Sequence, residues 1–116
     1  MTPNEYQQLA NRTLILEPDF EIQPGQVMIA WNALGLSGEA GEVVDLVKKG
    51  ILHQQGIDNN KLKKELGDVL LYITALASEH NLTMEEIMEH NIEKLKARFP
   101  DGYSPDRTTF KEGIAQ

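Results

Sequence analysis

The sequence predicts an all-α protein built on a four-helix core and completed by association with further copies of itself. Three observations carry that expectation. Apolar residues recur at helical spacing, capping residues and prolines stand where those stretches begin, and no segment gives a convincing strand pattern. At 116 residues the chain makes one domain, taken as residues 1–100, with residues 101–116 as a C-terminal tail or arm.

The elements follow in order. Thr2, Pro3 and Glu5 form a capping box with proline at the first helical position, opening a short helix expected to reach Leu14. Pro18 and Pro24 bracket an irregular link. A long helical pattern then runs from Gln26 to Lys49 and is expected to stop at Gly50, with Lys48 and Lys49 suited to its C-terminal dipole. Ile51 to Asp58 reads as a loop, and Asp58 or Asn59 caps a third helix continuing to Glu79. Asn81 and Leu82 turn the chain. Thr83 with Glu86 makes a second capping box, and Met84, Met88, Ile92, Leu95 and Phe99 then form an apolar stripe that Pro100 ends. The tail, with Gly102, Pro105 and Gly113, reads as an extended arm.

The third helix bears on assembly. From Val69 to Ala77 it reads V-L-L-Y-I-T-A-L-A, apolar on nearly every side, whereas a helix on the surface of a small monomer keeps a polar face. Four helices can hardly wrap one of their own number, so a homo-oligomer is expected, a homodimer or homotetramer.

Composition excludes several classes. With 18 acidic and 11 basic residues the net charge is -7, which repels nucleic-acid backbones and anionic membranes. Polymeric nucleic acid and membrane are therefore not expected as partners. No cysteine is present, so disulfides and thiolate metal sites are absent, and no stretch is long and apolar enough to span a bilayer. A cytoplasmic location is the expectation.

The chemistry is carried by two pairs of acids, Glu39 with Glu42 and Glu65 with Asp68. Residues three apart share a helix face, so two such helices packed together aim four carboxylates at one point. Four unneutralised carboxylates repel, and either take up protons or enclose a divalent cation. Mg2+, a hard ion preferring oxygen ligands, suits the set best, with Mn2+ as a substitute. Both pairs border apolar residues that should be buried, and carboxylates seldom border a core without a partner. Asp45 extends the series as an outer acid, with a solvated charge as its plainer role.

The segment G-L-S-G-E-A-G-E-V-V-D-L-V-K-K from Gly35 to Lys49, the segment K-K-E-L-G-D-V-L-L-Y from Lys63 to Tyr72, and N-I-E-K-L-K-A-R-F-P from Asn91 to Pro100 stand in this order. Together they resemble the MazG-type all-alpha nucleotide pyrophosphohydrolases, over most of the chain from Tyr6 to Pro100. The resemblance implies Mg2+-dependent cleavage of a nucleoside triphosphate between the α and β phosphates, giving monophosphate and pyrophosphate. It implies Glu39, Glu42, Glu65 and Asp68 as metal ligands and catalytic residues, and supports Lys94 and Arg98 as substrate contacts. Asn91 lies in the same stripe. Two alternatives stand beside it: a related pyrophosphohydrolase for dUTP, dCTP or phosphoribosyl-ATP, or a non-catalytic nucleotide- and metal-binding dimer.

Trp31, the single tryptophan, shares a stripe with Gly35, Gly38 and Glu42. Each interior glycine costs roughly 1 kcal/mol relative to alanine, so three at 35, 38 and 41 call for close approach by a helix or a nucleotide whose base stacks on Trp31. A core or interface position is the plainer reading for Trp31. The lysines at 48, 49, 61, 63 and 64 suit helix ends and solubility, with one or two near enough for phosphate. His53, His80 and His90 make no E-x-x-H pattern of the di-iron bundles, and no G-x-x-x-x-G-K phosphate loop is present.

Overall fold

The computed structural model describes residues 1–103 and 105, and holds α1 (Pro3–Asn11), α2 (Pro24–Ile51), α3 (Asn59–Glu79) and α4 (Met84–Arg98). No strand occurs among the described residues. The protein is all-α, as expected, and three of its helix starts follow the residues that announced them. Thr2 and Glu5 cap α1 reciprocally, at 3.1 and 3.0 Å. Asp58 accepts from the amide of Asn60 at 2.8 Å, opening α3. Thr83 and Glu86 cap α4, each bond 3.1 Å.

Three helix bounds differ from expectation. α1 stops at Asn11 rather than Leu14, because the Thr13 hydroxyl and amide both donate to the Ala10 carbonyl, closing a tight turn in place of a further helical one. α2 begins at Pro24, two residues early, with the Gln23 amide donating to the Gln26 side chain at 2.9 Å. It also passes through Gly50 to Ile51. Gly50 is a glycine for another reason: the returning link crosses it, and a Cβ there would overlap Ile57 and the Gly56 carbonyl. Gln55 and Gly56 donate their amides to the carbonyls of Lys49 and Gly50. The left-handed conformation falls in the link, at Gln54 (φ 57°) and Gly56 (φ 78°).

The α2–α3 hairpin is the one extensive helix pair among the described residues. Asn32, Leu36, Glu39, Val43, Leu46 and Gly50 step along α2 by fours and threes and are shielded, as are Leu62, Glu65, Val69, Tyr72 and Leu76 on α3. Gly50 meets Ile57 and Gly35 meets Tyr72, so in each contact the residue numbers add to 107. That constant sum is the register of antiparallel helices. It sets Glu39 level with Asp68 and Glu42 level with Glu65.

One chain leaves most of its apolar surface open. Among the described residues Ala77 is the only buried hydrophobic side chain, while Tyr6, Leu9, Leu66, Leu70, Met88 and Ile92 are exposed. A folded monomer of 13.0 kDa exposes about 6,300 Å2, against 9792 Å2 here. With the residues outside the described range taken at full extended-chain exposure, about 2,000 Å2 of excess still remains. No helix among the described residues is long and apolar enough to cross a membrane.

Of the expected arm, Ser104 and residues 106–116 lie outside the described residues. After Pro100 the Gly102 amide donates to the Phe99 carbonyl at 3.1 Å, with Gly102 at φ 89°, and Tyr103 stands edge-on to Phe99 with ring centres 6.3 Å apart.

Candidate active site

The hairpin register brings three of the four paired acids together. Glu39, Glu65 and Asp68 each offer a carboxylate oxygen, and these lie within 4.8 Å of one another. Glu42, one turn along α2, stays outside that set. It lines the adjoining cleft instead, with Glu65, Asp45, Lys49, Ile57 and Lys61 among its walls. The cleft measures about 640 Å3 and lies between the end of α2, the link and the start of α3.

The electrostatics are those of crowded like charges. The Glu39 carboxyl is held above its ordinary range, first by partial desolvation and then by the charges of Asp68, Glu65 and Glu42, with Lys64 opposing them. Lys64 reaches both members of the second pair, its Nζ standing 3.5 Å from Glu65 Oε1 and 3.5 Å from Asp68 Oδ2. The ammonium is held above its usual range by those two acids. It is 70% exposed, so it lies on the outer side of the cluster and is free to give way to another cation.

The donor set fits a hard divalent ion. It is all oxygen, gathered from two helices whose register is fixed, and already drawing in a cation. Opposite ligands of Mg2+ stand about 4.2 Å apart, so modest side-chain rotation closes a 4.8 Å set. Glu39, Glu65 and Asp68 would hold such an ion, with Glu42 next in reach.

The other sequence candidates take varied positions. Asp45 pairs with Lys49 at 2.9 Å and with Lys48 at 3.9 Å, which is the solvated-charge role. Trp31 is 65% exposed, above Gly35 on the side of α2 that carries Glu42. Asn91, Lys94 and Arg98 share one side of α4, and none lines the cleft. The Arg98 guanidinium lies 5.8 Å from the centre of the Phe99 ring. Of the three helix glycines expected to mark close approach, Gly35 does so, since a Cβ there would enter the Tyr72 ring. Gly38 and Gly41 have open space around them in the single chain.

Sequence reasoning gave Tyr72 no role of its own and placed Lys49 and Lys61 at helix ends, among lysines of which one or two come near enough for phosphate. Tyr72 lies four residues beyond Asp68 and level with Gly35, a pairing that spacing alone carried once the register was known. Lys49 and Lys61 required the link's path.

The MazG nucleotide pyrophosphohydrolase domain matches residues 30–103, more than half of the chain. The chain belongs to that family. The MazG match contains all four paired carboxylates and the basic row of α4, and leaves α1 outside. The chain is also similar to the Gene 37 protein of Mycobacterium phage L5, 32% identical over 74 residues. That alignment covers 60% of this chain and 65% of the phage protein, so the chain spans just under two thirds of its relative's length. No solved structure matches. MazG domains are metal-dependent nucleotide pyrophosphohydrolases, and the acidic cluster is a group of the kind such a metal requires.

Proposed function

We propose that this MazG chain hydrolyses nucleoside triphosphates between the α and β phosphates, releasing a monophosphate and pyrophosphate, with Mg2+ as its cofactor. The observation that carries the reading is the convergence of Glu39, Glu65 and Asp68 beside a cleft walled by Lys49 and Lys61. Phosphoryl chemistry of this kind needs charge neutralisation and a positioned water more than covalent help. When bound, the ion neutralises phosphate oxygens and lowers the pKa of a coordinated water.

The chain's own groups do the rest. Glu39, Glu65 and Asp68 would hold the ion against the hairpin, and Glu42 would complete the ligand set from the cleft side. A Glu42 oxygen left free faces the cleft and accepts the proton of the attacking water. Lys49 and Lys61 balance the polyphosphate, whose four negative charges would otherwise meet an acidic wall. Lys94 and Arg98 serve as further phosphate contacts, with Asn91 on the sugar or a phosphate and Trp31 against the base. The working form is a homo-oligomer, a reading supported by the excess exposed surface, and the net charge of -7 with no cysteine suits a chain acting on the cytoplasmic nucleotide pool.

A panel of the eight standard ribo- and deoxynucleoside triphosphates with dUTP and phosphoribosyl-ATP tests the reading. Equimolar monophosphate and pyrophosphate from at least one member, abolished by chelator, is the expected result. Tight nucleotide binding without release from any member would replace it with the non-catalytic reading.

A further inference from the structure

The lysines of the hairpin differ in what they touch. Lys48 and Lys49 are taken up by Asp45, at 3.9 and 2.9 Å. Lys64 instead bridges both members of the second acid pair, its Nζ 3.5 Å from Glu65 Oε1 and 3.5 Å from Asp68 Oδ2. It precedes Glu65 directly and Asp68 by four residues. On an isolated helix a cation four residues N-terminal to an acid is the poorer order for such a pair, because both charges then oppose the helix dipole. Local helix preference therefore does not account for the bridge. The summed charge does: across the register Glu39 adds a third carboxylate within 4.8 Å of the other two.

The two sides of this contact differ in freedom. The Lys64 side chain is 70% exposed, whereas Glu65 is 19% and Asp68 37% exposed. The acids are held by the hairpin, and the ammonium sits at the end of a flexible four-carbon stem in water. It can leave without stranding a buried charge. An exposed ion pair of this kind is weak, while a divalent cation brings twice the charge and takes several oxygen ligands at once. The oxygens that Lys64 occupies are the ones such a cation needs. A group that interacts with the free site and not with the occupied one weakens binding by the strength of that interaction, whatever its distance from the ion afterwards.

We propose that Lys64 is the resident counter-cation of the metal-free site, that its ammonium is displaced from Glu65 and Asp68 when a divalent cation binds, and that it thereby sets the cation concentration the site requires. The inference rests on the proposed metal cofactor and deepens that reading. Lys64 relieves the crowding of the three acids while the site is empty, and the same contact raises the threshold for filling it. The affinity of the site is then written in a residue that is not itself a ligand.

Mn2+ is titrated onto the full-length chain in about 0.15 M salt, where exposed charges beyond roughly 8 Å are screened, and the unbound ion is counted by its electron paramagnetic resonance signal. Wild type is compared with Lys64→Met, Lys64→Arg and Lys63→Met, each checked for unchanged helical circular dichroism. Lys64→Met is expected to bind roughly two- to fivefold more tightly, the factor that an exposed ion pair is worth. Lys64→Arg keeps the charge and the reach, so it should bind like wild type or more weakly. Lys63 lies on the opposite side of α3 from Glu65, and Lys63→Met removes an equal charge without touching the contact, so its affinity should stay close to that of wild type. Unchanged or weaker binding by Lys64→Met, or an equal gain in Lys63→Met, overturns the proposal.

A second measurement follows Lys64 itself and needs no turnover. Lysine labelled with carbon-13 at the ε-carbon gives one NMR signal per residue, and the signal of Lys64 is the one missing from Lys64→Arg. Saturating Mg2+ should move it toward the position of an unpaired lysine and leave that of Lys63 in place. A Lys64 signal that stays put while Mg2+ binds overturns the displacement and leaves the hydrolysis reading standing. Failure of wild type and every variant to bind either ion removes the cofactor from the proposed function, and this inference with it.

Discussion

Glu39 stands where three other acids press on it, and its raised proton affinity shows the energetic character of the cluster. A site that binds a divalent ion is uncomfortable without one, since the same crowding that attracts the cation repels in its absence. Lys64 relieves part of that repulsion from the outer side. Asp45 is a contrast three residues from Glu42. Its carboxyl is held below the ordinary range, first by the hydrogen bond from Lys49 and then by the charges of Lys49, Lys48 and His53.

A carboxylate with a depressed pKa stabilises the fold at pH values above its unfolded pKa of 3.8, and that contribution is lost as pH falls through the lower folded value. Lys49, raised from 10.5 chiefly by the same bond, holds its part below pH 10.5 and loses it as pH rises further. Asp45→Asn should therefore lower the thermal midpoint slightly at pH 5 to 9, and the difference from wild type should vanish below about pH 3. Melting curves across that range check it. An undiminished difference at pH 2.5 would show that the pair is not its source.

At the scale of elements, capping chemistry was legible because it is local. Thr2 with Glu5, Asp58, and Thr83 with Glu86 each act within four residues, and each opens the helix it announced. The end of α2 was not. Gly50 has the composition of a stop signal, yet its purpose is to admit Ile57 and Gly56 from a link whose path no short window reveals. Gly50→Ala should consequently destabilise by about 1–3 kcal/mol through overpacking, although alanine alone would favour an isolated helix by roughly 1 kcal/mol. The urea midpoint at fixed protein concentration measures it, and a stabilised variant would refute the close approach.

The two acid pairs belong to the same lesson. Spacing of three within each helix made them visible, and the resemblance ordered them. Their meeting depends on the antiparallel register, which levels Glu39 with Asp68 and leaves Glu42 facing the cleft rather than the three-acid set. Tyr72 had no role of its own at that level because its partner, Gly35, is 37 positions away in sequence.

The whole molecule is governed by what one chain fails to bury. The run from Val69 to Ala77 announced an unsatisfied apolar surface, and the exposed Leu70 and Leu71 with the open stripe of α4 extend it. Apolar burial at about 25 cal/mol per Å2 makes covering an excess of this size favourable, which supports the proposed homo-oligomer. Sedimentation at micromolar concentration should give a single species of at least two chains, resistant to 0.5 M salt because its interface is apolar rather than ionic. A monomer of 13.0 kDa would contradict the proposed assembly.

The central claim is that the converging carboxylates make a metal-dependent pyrophosphohydrolase. The most direct measurement is phosphorus NMR of the products from the preferred triphosphate, with Mg2+ and with chelator, for wild type and for Glu65→Gln. Pyrophosphate and monophosphate should appear only with Mg2+ and wild type, with a rate in the variant lower by about 100-fold or more, since losing a ligand costs more than the roughly 10- to 100-fold lost with a ligand's outer partner. Orthophosphate as the primary product, or undiminished turnover in Glu65→Gln, would contradict it.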